Sequence, residues 1–428
     1  MVLCWKMPPA TFWTRLKQLW LIIASQFCLR FFQMIDNAYF SESKGNALLI
    51  HNIVQSLYNV GLYLGIGVSL SCLIFWKRPE CRGKQGCIMV AHLALAFLSA
   101  SVFAILFILN SNALLDHFQV PLQARGLARA YFKVGAFNVC LLTCYLTLDG
   151  LMIGTHQQGL SMFLAIGLCV GKILLNSFFL RRSSICMALS TTGLVLLASA
   201  IAVIKVSQKV DGWNLMEFKT MTSVWRSELF SAIIRAGSVV ALGYEIAEIP
   251  TSPGFIVTFH LLSHLSYLAT LPLGSGLQLV LRDMSSNRNG LRSVLYLAAL
   301  PTLLMFLVEL VCPKQCLYSI YGYRVSIEHG GFLRLFLFAG LLTQFSRIPV
   351  VMLRAKKNSK AVTRSFLLSE WLVTLGGTQL LIFSGLASPN SFGWILILAA
   401  AIFLILVTLE IPMKLRYRPV GYRPQLSP

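Results

Sequence analysis

The sequence predicts an all-α polytopic membrane protein, and two observations support that prediction. Hydrophobic residues make up 57% of the 428 residues and charged residues 12%, whereas about 25% of residues are charged in an ordinary soluble domain. Many apolar stretches also reach the roughly 20 residues that a helix needs to cross a hydrocarbon core. The first fifteen residues have no apolar core followed by a small-residue cleavage site. We therefore expect no signal peptide, so that the first apolar segment is kept as a membrane helix.

Apolar segments separated by charged or Gly- and Pro-containing breaks predict about twelve membrane helices. Their ranges are 16–40, 47–75, 87–110, 130–153, 160–180, 184–206, 228–250, 254–281, 291–312, 331–353, 363–386 and 392–413. The longest polar interruption, residues 205–228, follows the sixth segment and predicts a connector between two six-helix bundles. The predicted organisation is a cytoplasmic N-terminal segment (1–15), a first six-helix bundle (16–206), a cytoplasmic connector (207–227), a second six-helix bundle (228–413) and a cytoplasmic basic tail (414–428).

The distribution of positive charge predicts the orientation in the membrane. Lys and Arg accumulate in cytoplasmic loops of membrane proteins, and here alternate loops carry most of the formal net charge of +21. The turns near 250–253 and 387–391 carry no Lys or Arg. We therefore expect both termini in the cytoplasm and the protein in the inner (plasma) membrane. No basic stretch is interleaved with stacking aromatic residues, so the charge does not indicate a nucleic-acid partner.

Two segments of the chain resemble each other and predict an internal repeat. The segments YNVGLYLGIG (58–67) and YLATLPLGSG (267–276) align without gaps, and each lies in the second predicted helix of its half. Repeats in the same orientation imply a pseudo-two-fold axis along the membrane normal, with a cavity between the halves.

Three further segments carry a resemblance to a known family. The segment MIDNAYFSESKG (34–45) resembles a first-helix ending, and IVQSLYNVGLYLGIGVSLSCLIF (53–75) resembles a second helix with a G-x-G pattern. Residues 130–158, followed by GKILLNSFF (171–179), resemble a fourth and a fifth helix. Together they resemble the multidrug and toxic compound extrusion (MATE) transporters of the MOP flippase and exporter superfamily.

This resemblance implies a MATE-like fold of about twelve helices in two bundles, and a secondary transporter, not an enzyme. Such a protein exports a small organic or amphipathic substrate by alternating access, in exchange for H+ or Na+ and without another cofactor. We expect a monomer in the lipid bilayer. The chain has no G-x-x-x-x-G-K-S/T segment, so ATP is not the expected direct energy source.

The resemblance assigns an ion site to the first half, and the sequence departs from the family there. Asp36 stands where the family keeps an aspartate, and Asn176 matches the second Asn of an N-x-x-x-N pattern. Lys172 replaces the first Asn, and Leu180 stands where some prokaryotic members have an acidic residue. A lysine in the middle of a membrane helix is costly unless it is paired or faces water.

We therefore expect an ion pair between Asp36 and Lys172, which would weaken metal-ion coupling and favour protons or an uncoupled path. The alternatives are that Asp36 is a hydrated helix-end residue and that Lys172 extends to an interface.

Other candidates for the ion-coupling or substrate cavity lie on the fourth and seventh predicted helices. The resemblance assigns Tyr131 to the start of the fourth helix, and Asn138 stands in place of a family proline. Glu245 and Glu248 lie at i, i+3 on one face of the seventh helix, where family members with a second-half site carry a glutamate. Of the two we favour Glu245, because it lies deeper.

Several other polar residues receive expectations of their own. Arg30, Lys133, Arg235 and Arg347 lie near segment ends or cavity faces, where they would give the cavity positive character and disfavour strictly cationic substrates.

His260 and His264 share a face at i, i+4, a spacing compatible with a metal, but no third ligand is nearby and a packing or cavity-lining pair is expected. Asp149 is expected to be a loop-facing cap. Cys312 and Cys316 flank a predicted external loop, where a disulfide is possible but two free thiols are favoured.

Three alternatives to an exporter stay open at the level of the sequence. One is a flippase of a lipid-linked or other anionic amphiphile, because cavity arginines and lysines would neutralise a pyrophosphate. Another is a membrane-embedded enzyme with His260, His264 and the membrane carboxylates as its site. The third is a non-transporting relative, since a family proline of the first helix and one carboxylate are missing.

Overall fold

The computed structural model describes residues 9–41, 47–76, 83–118, 120–179, 184–210, 212–213, 218–249, 254–283, 288–326, 329–355 and 359–415. Leu180, the turn at 250–253 and most of the basic tail lie outside these residues, as does most of the N-terminal segment.

The described residues form helices and turns, without a strand. The helices are α1 (Pro9–Ser41), α2 (Ala47–Trp76), α3 (Gln85–Leu109), α4 (Ser111–His117), α5 (Leu122–Gly154), α6 (Gln158–Phe179), α7 (Ser184–Ser207), α8 (Phe218–Glu248), α9 (Gly254–Asp283), α10 (Arg288–Val311), α11 (Pro313–Tyr321), α12 (Gly330–Ala355), α13 (Ser359–Phe366), α14 (Gly376–Phe383) and α15 (Pro389–Leu415).

The helices define an integral membrane protein. Within the described ranges, nine helices are long and apolar enough to cross a membrane, or ten if a bent pair counts as one span. Each of the twelve predicted segments coincides with helical structure. A helix suits the bilayer because it satisfies its own backbone hydrogen bonds where no water is available. The all-α prediction is thus confirmed.

Three helices begin well before their predicted segments. Helices α1, α5 and α8 start at Pro9, Leu122 and Phe218, not at 16, 130 and 228. A count of apolar residues detects only the part of a helix that lies in the hydrocarbon core. The helical hydrogen bonds of the backbone begin earlier, in polar turns that precede this apolar part. Helix α8 therefore occupies part of the sequence predicted as a connector.

The region predicted as an external loop after the ninth segment contains a short helix. Helix α10 ends at Val311 and α11 begins at Pro313, with a bend of 99° between them. Proline is favoured in the first turn of a helix and cannot continue the preceding one. Cys312 lies at the bend and Cys316 in α11, and both thiols are free.

A π-helical segment, Leu367–Leu375, connects α13 to α14. Its wider winding appears in a side-chain contact, since the Thr374 hydroxyl donates to the carbonyl of Ser369, five residues back, at 3.1 Å. π-Helical turns are rare and frequently occur at functional sites. This segment carries Glu370, an acidic residue within a membrane span.

The chain forms two halves, α1–α7 and α8–α15, each packed around one strongly buried helix. These central helices are α5 in the first half and α9 in the second. The first helix of each half also packs against the second helix of the other, α1 against α9 and α8 against α2. Helices α2 and α9, which carry the repeated segments, therefore both lie at the interface between the halves.

Candidate functional site

Asp36 of α1 lies in a buried polar cluster with Lys172 and Asn176 of α6, which we call the Asp36 cluster. Lys172 Nζ is 3.1 Å from Asp36 Oδ1, and Asn176 Nδ2 donates to the same oxygen at 2.7 Å. The side chains of Lys172 and Asp36 are 0% and 9% exposed. The spacing i, i+4 brings both α6 residues to one face. The structure thus contains the ion pair that the sequence led us to expect, and the lysine does not extend to an interface.

The remaining donors of Lys172 are directed at α7. Its ammonium group donates to the carbonyl of Met187 at 3.1 Å and to the hydroxyl of Thr191. The Phe32 ring of α1 lies 5.6 Å away. Three acceptors match the three N–H groups of an ammonium ion. The positive charge next to Asp36 is therefore held in place from two helices.

Titratable groups surround the Asp36 cluster on neighbouring helices. His51 of α2 and Tyr131 of α5 share a hydrogen bond of 3.0 Å and are both buried. Tyr39 of α1 lies 2.6 Å from the hydroxyl of Ser177 on α6 and donates to the carbonyl of Ile173 at 3.3 Å. Tyr131, a predicted site residue, thus belongs to the surroundings of the cluster inside the first half.

Asn138, the other candidate of the fourth predicted helix, connects α5 to α7. Its amide donates to the carbonyl of Ala188 at 3.1 Å and accepts from the Thr192 hydroxyl at 2.6 Å. These contacts lie inside the first half, among residues that do not line the cavities described below.

The two candidate glutamates of α8 differ in exposure. Glu245 is buried, and within the described chain its Oε2 atom has no hydrogen-bond partner. Glu248 is exposed. Neither is among the residues that line the cavities.

Asp149 is buried, and its expected role as a loop-facing cap is wrong. It is 2% exposed, accepts from the Ser161 hydroxyl at 2.5 Å and accepts from Gln26 Nε2 at 2.7 Å. The hydroxyl groups of Ser25 and Ser161 are 2.6 Å apart. The turn between α5 and α6 is so short that α6 packs back over the last turns of α5, which removes this carboxylate from water. A second polar network thus connects α1, α5 and α6.

A cavity of about 270 Å³ lies between the two halves. Arginines from three helices line it, namely Arg30 of α1, Arg235 of α8 and Arg347 of α12. Tyr63 of α2 and Tyr267 of α9 complete this part of the wall. We call it the central cavity.

A second cavity of about 120 Å³ adjoins the central cavity. It shares Tyr63, Arg235, Tyr267 and Arg347 with the first and extends to Gln26. Arg235 and Arg347 therefore lie where the two cavities meet.

The structure also places the remaining predicted cavity residues. His260 and His264 line the central cavity, as the cavity-lining interpretation predicted. The described residues contain no group of three or more His, Cys, Asp or Glu side chains that could hold a metal ion. Lys133 is exposed on α5 and does not line either cavity, because its position on the helix faces away from the interface between the halves.

The sequence analysis missed Glu370, which lines the central cavity from the π-helical segment. Arg235 Nε donates to Glu370 Oε1 at 3.4 Å, and the Ser238 hydroxyl donates to Oε2 at 2.7 Å. A signal was present, because Glu370 is the only acidic residue of the predicted segment 363–386. A carboxylate within a membrane span is costly and is usually functional.

The described residues thus form a membrane protein of two helical halves, in which the first helix of each half also packs across the interface and a cavity lies between the halves. No protein-family model and no curated protein matches the sequence. Solved structures do match, and the fold is that of the MATE transporters of the MOP superfamily.

Three solved structures represent this likeness. One is an outward-facing MATE family transporter with a TM-score of 0.69 at 13% identity, covering 93% of this chain and 94% of that one. Another is a MOP superfamily transporter from Pyrococcus furiosus, with a TM-score of 0.69 at 14% identity, covering 93% of this chain and 95% of that one. The third is the MATE multidrug transporter DinF-BH, solved as a complex, with a TM-score of 0.73 at 13% identity, covering 93% of this chain and 94% of that one.

Proposed function

We propose that this protein is a secondary-active transporter that exports a small organic or amphipathic substrate by alternating access. The central cavity between two helical halves is the observation that carries the proposal. The shared fold with MATE transporters supports it. The positive charge of alternate loops supports an orientation with both termini in the cytoplasm.

We further propose that the Asp36 cluster couples transport to protons. Asp36 Oδ1 already accepts from an ammonium group and an amide. A sodium ion at this oxygen would lie next to the Lys172 charge and would be repelled. A proton brings the same charge, but it binds to the carboxylate itself and needs no shell of oxygen ligands, and it removes the charge that holds Lys172 and Asn176 to α1.

Coupling to the cavity follows from the position of α1. Along its length, α1 is held to α6 through Ser25, Cys28 and Asp36. The same helix packs against α9 of the other half. Protonation of Asp36 loosens one of these attachments, which lets α1 change its packing at the interface between the halves.

Dye transport in cells and in proteoliposomes tests the proposal. The full-length protein and its Asp36→Asn variant are assayed with a panel of amphipathic dyes of both charges. We expect the wild type to lower dye accumulation and Asp36→Asn to abolish the effect. Accumulation equal to the vector control for every dye would contradict an exporter.

The coupling ion is tested by imposing a proton or a sodium gradient on the proteoliposomes. We expect the wild type to respond to the proton gradient and Lys172→Asn, which restores the N-x-x-x-N pattern, to gain a sodium response. The exposed Lys133→Asn serves as the matched control and keeps the wild-type response. An unchanged ion dependence in Lys172→Asn would contradict the assigned role of the lysine.

A further inference from the structure

We infer that the central cavity binds an organic anion, and this inference rests on the proposed transport function because it names the class of substrate. Three guanidinium groups line the cavity, whereas Glu370 is the only carboxylate among the described residues that line it. If His260 and His264 are counted as neutral, the three arginines and Glu370 give the described lining of the cavity a net charge of +2.

The one carboxylate is already engaged. Glu370 accepts from Arg235 through one oxygen and from Ser238 through the other. It therefore compensates Arg235, and Arg347 has no carboxylate partner on the described cavity wall.

Aromatic rings hold the arginines in position without neutralising them. The guanidinium carbon of Arg30 lies 3.3 Å from the centroid of the Tyr267 ring, and that of Arg347 lies 5.9 Å from the same centroid. Arg235 lies 4.5 Å from the Phe366 ring centroid and 5.1 Å from that of Tyr63. A ring face attracts a cation but keeps its charge.

The donor geometry points to an oxyanion. Arg347 Nε is buried and has no hydrogen-bond partner within the described chain. A guanidinium presents its N–H groups in a planar fork that matches carboxylate, sulfonate and phosphate oxygens. A buried donor of this kind is best satisfied by an anionic acceptor in the cavity.

The remaining wall and the size limit the rest of the ligand. Phe259, Phe336 and Phe403 line the same cavity and suit an apolar or aromatic body. Small-molecule pockets typically measure about 300–1,000 Å³, so a cavity of about 270 Å³ accommodates a small organic anion or one anionic headgroup.

Equilibrium binding to the full-length protein in zwitterionic nanodiscs tests the inference. The two probes are 2-naphthoate and 2-naphthylmethylammonium, which share the apolar body and differ in charge. We expect naphthoate to bind at least about tenfold more tightly. Equal or tighter binding of the cationic probe would overturn the inference.

Variants on one helix separate a local role from a general effect of charge. Arg347→Gln is expected to weaken naphthoate binding about tenfold. Arg334→Gln changes an exposed arginine of the same helix that does not line the cavity, and it should bind like the wild type. Equal affinities of the two variants would contradict the inference.

A third variant guards against misfolding. Glu370→Gln removes the carboxylate of the cavity and should tighten naphthoate binding several-fold, which a damaged protein does not do. Weaker or unchanged naphthoate binding in Glu370→Gln would count against the anion site.

The source of the anion is identified by adding phosphatidic acid to the nanodiscs. Loss of naphthoate binding by competition supports a lipid headgroup as the ligand, whereas undiminished binding supports a soluble organic anion.

Because no gradient is applied, binding is independent of transport. Selective naphthoate binding without transport under any gradient would contradict the proposed function alone, and transport of cationic dyes without anion binding would contradict this inference alone.

Discussion

Two ion pairs in the membrane-spanning region, one in each half, have the same chemistry in different surroundings. Asp36 and Lys172 of the first half are 3.1 Å apart, with side chains 9% and 0% exposed. Arg235 and Glu370 of the second half are 3.4 Å apart, with side chains 23% and 26% exposed. The first pair lies within a packed bundle, whereas the second lines the central cavity.

The difference in burial gives the two pairs different uses. A buried pair is neutral as a unit, and each charge depends on its partner because no water replaces it. A pair at a cavity wall is partly solvated, so a ligand or an ion in the cavity can compete with either member. The first half thus has a site suited to an internal switch, and the second has a site suited to recognition.

Removing the lysine of the buried pair is expected to have the largest effect on stability. Lys172→Met leaves Asp36 buried without its cation and should lower the free energy of unfolding by about 3–5 kcal/mol. Thermal unfolding in detergent measures the change.

The double variant Asp36→Asn, Lys172→Met should recover most of that loss, since no charge is then left unpaired. The exposed Lys133→Met is the control and should unfold like the wild type. A single variant as stable as its double variant would contradict the difference between the two pairs.

The second polar network of the first half should contribute less. Ser161→Ala removes a donor to buried Asp149 and should lower the free energy of unfolding by about 1–3 kcal/mol. Ser207→Ala is the matched control, because the Ser207 hydroxyl donates to the carbonyl of Ile204 in its own helix. Equal unfolding temperatures for the two variants would show that Asp149 does not depend on this donor.

A neutral hydrogen bond beside the Asp36 cluster should contribute less again. Tyr131→Phe removes the hydroxyl that pairs with His51 and should lower the free energy of unfolding by about 0.5–1.5 kcal/mol. Chemical unfolding curves for the variant and the wild type give the value. A loss as large as that of Lys172→Met would mean that the ion pair is not the dominant interaction of this region.

The pair at the cavity should give the smallest effect and the clearest dependence on salt. Arg235→Met should lower the free energy of unfolding by about 0–1 kcal/mol, because both members are partly exposed. The difference from the wild type should shrink between 0.05 and 0.5 M salt, roughly, as the Debye length falls. The same salt series should leave the Lys172→Met difference unchanged, and a parallel response of both variants would contradict the assigned burial.

The sequence allowed the Asp36 cluster to be predicted because its charges interrupt apolar segments. Asp36 and Lys172 are costly in hydrocarbon unless they meet a partner, so an ion pair between them was expected, although a hydrated Asp36 and an interfacial Lys172 were still open. Asp149 was misjudged, because sequence position near a helix end does not reveal how closely the next helix packs. Its partner Gln26 carries no charge and gave no signal.

The sequence predicted that arginines would give the cavity positive character, but it did not predict which side chains each arginine contacts. Arg30 and Tyr267 belong to different halves, and only the packing of α1 against α9 brings them together. Glu370 carried a signal of its own, but its neighbours on α8 are identified only by the fold.

The sequence by itself determined that the chain is helical, spans a membrane and carries charges that need partners. These properties are local, because a membrane helix satisfies its backbone within one segment and a charge in hydrocarbon is costly wherever it lies. The tertiary structure decided which charges neutralise each other and which face a cavity. Asp36 and Lys172 meet across helices far apart in the chain, and Arg347 remains without a carboxylate on the described cavity wall, because contacts between helices depend on how all of them pack.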